Sequence, residues 1–333
     1  GWTCTGVLVS LDATEAVVEE AAHRGCNLVI THHPIIFKGL KRLTGQHYAE
    51  RTVIRAIQLN IALYAIHTNL DNVAHGVSAK MAERIGLQNL QVLAPVSGQL
   101  CKLYTFVPVA QAEAVRSALF AAGGGQIGNY SECSFNVAGT GTFKGGENSQ
   151  PFAGTPGVRH EEAEIRIELI FPQWLQGSLL RALRQSHPYE EVAYDLVPLS
   201  NSYASIGCGI IGQLPAPLEA PDFLALLQQR FGTPVIRHTR LLKKAVQQVA
   251  VCGGAGSFLT SRAIAAGADF FVTADVKYHE FFDAEDRLVL ADVGHWESEQ
   301  FTIELLVDYL TEKFPTFAVL KSGVVTNPVQ YYR

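Results

Sequence analysis

Three short stretches of the 333-residue chain carry side chains able to hold a metal ion or move a proton. The first is the adjacent pair His32 and His33, followed at once by Pro34. Proline discourages continuation of the apolar run before it, so both imidazoles emerge at the end of a strand. Neighbouring residues on an extended chain point to opposite sides, which suits two adjacent ions better than bidentate capture of one. A merely hydrogen-bonded histidine pair is the alternative. The second stretch, His67-Thr68-Asn69-Leu70-Asp71, also follows an apolar run. If the chain turns helically there, His67 and Asp71 share a face, and Asp71 or Asn69 can equally act as a helix cap. The third, Gly294-His295-Trp296-Glu297-Ser298-Glu299, opens a pattern that predicts one long amphipathic helix reaching Phe314. His295 and Glu299 form an i,i+4 pair on its first turn, where acidic residues also complement the helix dipole.

Such residues do chemistry together only if a frame gathers three distant strand ends. Over residues 1–99, strand-like runs at 7–11, 28–30 and 61–66 alternate with helical patterns at 14–24, capped by Asp12 or Thr14, and at 48–59. That βαβαβ rhythm implies an α/β fold with a mostly parallel sheet and functional loops at the carboxyl ends of its strands. The C-terminal part repeats the rhythm. A register shift of 242 places Val7, Val9, Gly25, Leu28, Ile30 and Thr31 over Val249, Val251, Gly267, Phe270, Val272 and Thr273 without a gap. A shift of 228 places His67 and Asp71 over His295 and Glu299. The pattern predicts an internal duplication, two α/β lobes sharing one crevice. Between them, strand-like runs at 102–108, 134–139 and 164–171 and helical stretches at 111–122 and 174–186 surround a Gly-rich polar segment, 139–157. The order strand, helix, strand, strand, helix, strand predicts an inserted ferredoxin-like α+β domain over residues 100–201, leaving 1–99 and 202–333 as one duplicated α/β domain.

Strand ends that converge this way would supply histidines and carboxylates without a cysteine. The mixed nitrogen and oxygen set suits a dinuclear site of divalent ions, whether zinc, manganese, iron, cobalt or nickel. His279, after the apolar run at 270–273, and His67 are candidates to move protons or to orient a ligand. The stretch Val251-Cys252-Gly253-Gly254-Ala255-Gly256-Ser257 is either a cradle for a phosphate or carboxylate, or a tight turn between strand and helix.

Composition sets the outer limits. With 48% apolar and 17% charged residues, and 26 basic against 31 acidic side chains giving a net charge of −5, the chain reads as a soluble globular protein and not a disordered one. It has no basic stripe to track a phosphate backbone, so direct nucleic-acid binding is not expected, and no apolar segment long enough to span a bilayer. The six cysteines are far apart and form no CxxC pair, which speaks against a zinc knuckle or redox motif. With no signal peptide in the sequence, a reducing cytoplasm is the expected location. The sequence starts at Gly1, close ahead of the first strand and without an initiator Met, so preceding residues are expected to be missing from it.

THHPIIF at residues 31–37, HTNLDN at 67–72 and GHWESEQ at 294–300 closely resemble the signature motifs of the NIF-three-like family, catalogued as GTP cyclohydrolase 1 type 2 homologues. The resemblance extends over essentially the whole chain. It implies His32 and His295 on one ion, His33 and Asp71 on the other, and Glu299 bridging both. It also implies two α/β lobes around a dimetal cleft, with a middle module like PII and CutA proteins. The signature of that module is matched by His187-Pro188-Tyr189-Glu190-Glu191 and Ala193-Tyr194-Asp195. Ring-like hexamers, built as trimers of dimers around an internal cavity, are the implied assembly. A helix bearing WDNxGL, usual in the family, is not part of this sequence. The implied activity is metal-dependent hydrolysis, with opening of the GTP purine ring as the catalogued reaction. Two other readings are a non-catalytic metal-binding regulator or scaffold that senses a small ligand through its insert, and a nucleic-acid factor, against which the acidic charge argues.

Overall fold

The apolar run near the start of the chain forms β1 (Val7–Ser10), buried at all four positions as a parallel strand covered on both faces must be. The computed structural model describes residues 1–242 and 244–332 and divides into two compact units, Gly1–Pro95 with Ala204–Arg333, and Val96–Tyr203. In the first unit β1 leads into α1 (Glu15–His23), β2 (Leu28–Thr31), α2 (Tyr48–Gln58), β3 (Ala62–Ala65), the single turn α3 (Thr68–Asp71), α4 (Val77–Ile85) and β4 (Gln88–Ser97). The second unit comprises β5 (Leu100–Pro108), α5 (Ala112–Ala121), β6 (Phe135–Lys144), β7 (Arg159–Pro172), α6 (Gln176–Ser186) and β8 (Tyr194–Leu199). The chain then returns through β9 (Ser202–Leu218), α7 (Ala220–Phe231), β10 (Arg237–His238), β11 (Val246–Ala255), α8 (Thr260–Ala265), β12 (Phe270–Ala274), β13 (Val289–Asp292), α9 (His295–Glu299), α10 (Thr302–Lys313) and β14 (Val319–Lys321).

The first unit contains two sheets. One is wholly parallel, in the order β14-β1-β2-β3, and the other runs β10-β13-β12-β11-β9-β4 with a parallel centre of β13, β12 and β11. The shift of 242 read from the sequence reappears in the strand pairing. Val7 faces Leu28 and Val9 faces Ile30 in one sheet, while Val249 faces Phe270 and Val251 faces Val272 in the other. Each sheet also borrows from the far half of the chain, since β14 completes the first and β4 the second. Local propensity does not encode such exchanges. The Thr14 hydroxyl caps α1 by accepting from Val17 N, which decides between the two predicted caps. The single long helix predicted from residue 295 is instead two. It breaks at Gln300 and Phe301, where Gln300 Nε2 donates to Phe231 O and the Phe301 ring lies 5.7 Å from that of Phe231.

In the second unit all pairings are antiparallel, in the order β6-β7-β5-β8. One face packs Leu103, Val107, Ile167 and Leu169 against Val115, Leu119, Leu179 and Leu183 of the two helices. The Gly-rich polar segment 139–157 is strand at its start. Gly139 to Lys144 continue β6 in ladder with β7, so only residues after 144 form the connection. Cys26, Cys101 and Cys252 are buried among apolar neighbours. Among the described residues no helix is long and apolar enough to cross a membrane.

Candidate metal centre

At the carboxyl ends of β1, β2, β12 and β13 the first unit opens into a crevice of about 1130 Å3. The histidine pair is fixed there by backbone bonds. His32 N and His33 N both donate to Leu11 O, at 3.1 and 2.9 Å, and Thr31 Oγ1 donates to His33 O at 2.8 Å. The two rings stay close, with centroids 4.9 Å apart, but anchor Nδ1 on different partners. His32, fully buried, sets Nδ1 3.0 Å from Ile66 O just beyond β3. His33 sets Nδ1 2.7 Å from Asp12 Oδ1 beyond β1. His295 begins α9, and its Nδ1 lies 2.8 Å from Asp275 Oδ2 beyond β12.

All three rings therefore meet an acceptor at Nδ1, which places the imidazole proton there and leaves a lone pair on each Nε2. Those lone pairs point at carboxylates. His32 Nε2 is 3.4 Å from Asp71 Oδ1 and 3.7 Å from Glu299 Oε1, while His33 Nε2 and His295 Nε2 are each 3.0 Å from Glu299 Oε2 and 3.3 Å from one another. His32 Nε2, Asp71 Oδ1 and Glu299 Oε2 are buried without a hydrogen-bond partner among the described residues. So many acceptors need positive charge between them, supplied either by extra protons or by a cation. The proton answer shows in the acidities. Burial opposes a second proton on His33, yet Asp12 and Glu299 outweigh it and push the pKa up to about 10. Glu299 does the same for His295, against burial and with help from Asp275, raising it to about 9. Burial also opposes ionisation of Glu299, but His295, His32 and His33 hold its carboxyl well below the usual range. Asp71 is pushed up to about 6 by burial and by the charge of Glu299, against the pull of His32.

The cation answer fits the distances as well. Two donors each about 2.05 Å from a tetrahedral ion stand about 3.3 Å apart, close to the observed nitrogen–nitrogen and nitrogen–oxygen separations. Two triplets share Glu299, namely His32-Asp71-Glu299 and His33-His295-Glu299, and a third brings together His32, His33 and His67. This grouping differs from the expected pairing of His32 with His295 and of His33 with Asp71. His32 is anchored to the end of β3, which leads directly into α3 and Asp71, whereas His33 turns toward Asp12 and faces α9. Asp71 caps no helix: the N-cap of α3 is His67, which makes no side-chain cap bond.

His67 is half-buried in the crevice wall, its ring 5.2 Å from that of His32 and edge-on to Phe37 at 5.7 Å. His279 is elsewhere. It stands exposed in the 3-10 segment Tyr278–Ala284, beside Tyr278 and Phe282, and does not line the crevice. After β12 the backbone turns left-handed at Asp275 (φ 57°), and it is this residue that meets His295. The glycine turn is not an anion cradle either, because Gly253 N and Gly254 N already donate to Ser78 Oγ and Ser298 Oγ. It serves the site by absence of bulk: a Cβ on Gly254 (φ 61°) would lie 2.3 Å from Glu299 Oε1. Asp12 is steadied by the Thr326 hydroxyl, and Arg237 contributes a guanidinium to the wall. Sequence reading missed Asp275, Thr326 and Arg237, and saw Asp12 only as a cap. One signal was present, for at the shift of 242 Asp12 falls over Gly254 and His33 over Asp275.

A duplicated α/β unit with imidazoles and carboxylates gathered at its strand ends defines a candidate metal-binding α/β protein. The chain belongs to the Duf34/NIF3 (NGG1p interacting factor 3) family, whose profile matches residues 2–328. It is similar to the GTP cyclohydrolase 1 type 2 homolog of Halalkalibacterium halodurans, 40% identical over 330 residues that cover 98% of this chain and 89% of that protein. The protein of the same description from Bacillus subtilis is 37% identical over 292 residues, 87% of this chain and 78% of the relative. Among solved structures, the Bacillus cereus protein related to NIF3 superposes with a TM-score of 0.87 at 37% identity, covering 100% of this chain and 90% of that one.

Proposed function

We propose that the protein is a metal-dependent hydrolase that holds two divalent ions through His32, Asp71, His33 and His295, with Glu299 common to both, and acts on a nucleotide-like substrate. The observation that carries this reading is the trio of buried, unpartnered atoms, His32 Nε2, Asp71 Oδ1 and Glu299 Oε2, of which Asp71 and Glu299 belong to residues lining an open crevice and His32 lies behind them. When bound, a pair of divalent ions supplies Lewis acidity and an activated water near neutral pH. The chain's own residues do the rest. Asp12, Asp275 and Ile66 O fix the three rings at Nδ1, so every Nε2 is presented without rotational freedom. His67, the crevice imidazole outside both Glu299 triplets, is placed to take up a proton released during hydrolysis. Phe37, Tyr48 and Trp296 offer flat apolar surface, which suits a nucleobase, while the Arg237 guanidinium is taken up by Asp292 and Val276 O. The description shared by the relatives from Halalkalibacterium halodurans and Bacillus subtilis points to GTP as the first substrate to try.

The test is to purify the protein without chelator, count metal per chain, and incubate it with GTP and a panel of phosphoesters beside a Glu299→Gln control. Turnover that disappears in the control is expected. Bound metal with no turnover on any substrate would move the assignment to a second reading, a metal-binding regulator, which the separate cavity of the inserted unit supports.

A further inference from the structure

The inserted unit encloses a cavity of about 670 Å3 built wholly from its own residues. It lies on the sheet face that the helices leave uncovered. By register Phe106 and Val137 face Arg166, and Gly139 faces Glu164, so these side chains share that surface. The His187-Pro188-Tyr189-Glu190-Glu191 stretch closes one side. His187 Nε2 lies 2.9 Å from Phe106 O and its Nδ1 accepts from Tyr189 N at 3.1 Å, which fixes the Tyr189 ring over the sheet. The connection after β6 closes another side, held by Gln150 N donating to Glu190 Oε1 at 3.0 Å. Phe143 and Phe152 flank Tyr189, with ring centroids 5.9 and 6.2 Å from it.

Glu164 forms the floor at 7% exposure. Tyr189 Oη donates to its Oε1 at 2.7 Å, while Oε2 accepts no hydrogen bond among the described residues. The glycines of β6 make room for that free oxygen. A Cβ on Gly141 would stand 2.1 Å from Glu164 Oε2, whereas one on Gly139 would meet open space. The cavity's own cations do not answer the carboxylate: Arg166 is paired with Glu168 at 2.6 Å, and Lys144 is exposed at the rim. A carboxylate oxygen left open to a cavity can accept from a ligand's N–H groups, and aromatic side chains beside it attract positive charge.

We propose that this cavity binds a small organic ammonium ion, held by Glu164 Oε2 and enclosed by the faces of Tyr189, Phe143 and Phe152. The size is that of a small-molecule site, and the lining joins an apolar body to one acceptor, which is the pattern of a primary amine on a hydrocarbon or aromatic group. The inference is independent of the metal centre.

Isothermal titration of the full-length protein with phenethylammonium chloride and with its neutral analogue 2-phenylethanol tests it, using wild type, Glu164→Gln and Gly139→Leu. The ammonium should bind wild type saturably, while the alcohol, and either variant with the ammonium, should bind at least about tenfold more weakly. Glu164→Gln keeps both the size and the acceptor for Tyr189, and an unchanged melting temperature and circular dichroism spectrum would show the fold intact. Gly139→Leu fills the open space while leaving the charge in place. Alcohol binding as tight as that of the ammonium, undiminished binding by either folded variant, or no binding of the ammonium by wild type would each overturn the proposal.

Discussion

Replacing Glu299 with glutamine tests the metal centre most directly, because this side chain is the one shared by both triplets. The amide keeps the shape and removes the charge. Losing a partner that merely orients a ligand costs about 10–100-fold in metal affinity, so losing a donor common to two ions should cost at least about 100-fold at each. With free metal at about 100 times Kd, each ion stabilises the wild-type fold by about 2.7 kcal/mol, whereas a site weakened about 100-fold keeps only about 0.4 kcal/mol. At about 2–4 °C per kcal/mol for a unit of this size, the metal-induced rise in Tm should shrink from about 5–11 °C per ion to about 1–2 °C. Differential scanning calorimetry of chelated and reloaded protein, with elemental analysis of the same samples, reads both quantities. The metal-free variant must be its own baseline, since Glu299 also draws protons onto His33 and His295. His279→Ala, exposed and outside the crevice, should behave as wild type. Two ions per chain and an undiminished Tm rise in Glu299→Gln would refute the reasoning.

Other consequences follow from the same geometry. His295→Ala should release one ion and spare the one at His32 and Asp71, and Asp71→Ala the reverse; loss of the same ion from both variants, read by anomalous scattering, would favour the opposite pairing. Asp275→Asn, which leaves the His295 ring without its anionic partner, should weaken metal binding by about 10–100-fold in competition with a chromophoric chelator, and unchanged affinity would remove Asp275 from the site. Gly254→Ala puts a methyl against Glu299 at a left-handed position and should lower metal content more than it lowers metal-free Tm; a variant that keeps full metal would show that the carboxylate can move aside. In the inserted unit His187 is held neutral, its pKa lowered by burial against the hydrogen bond to Phe106 O. The unfolded chain therefore takes up a proton first as pH falls, so stability is full above about pH 6.5 and declines below it. Hydrogen exchange of β5 and β7 should record that decline in wild type and a flatter profile in His187→Gln, and parallel profiles for the two would contradict the assignment.

Much of this was legible because the relevant physics is local. A short apolar run bounded by turn residues fits a buried strand, a proline after two histidines discourages its continuation, and a threonine ahead of a helical pattern caps it. The register of 242 carried real information about pairing, since parallel strands joined by equivalent helices close at equivalent residues: Val7 with Leu28, Val249 with Phe270. His279 was misplaced because distance along the chain from a strand end says nothing of direction, and the left-handed turn at Asp275 sends the chain away from the crevice.

The sequence alone thus determined the leading strands and helices of each half, the order of elements in the insert, and the set of imidazoles and carboxylates that could act together. The tertiary structure decided how that set is partnered. His32 faces Asp71 and not His295 because a backbone carbonyl beyond β3 anchors its Nδ1. Asp12, Asp275, Thr326 and the absent side chain of Gly254 reach the same few ångströms from four separate parts of the chain. Contacts at such sequence separation are set by how two sheets are completed, with β14 added to one and β4 to the other, and no periodicity within a segment specifies that exchange.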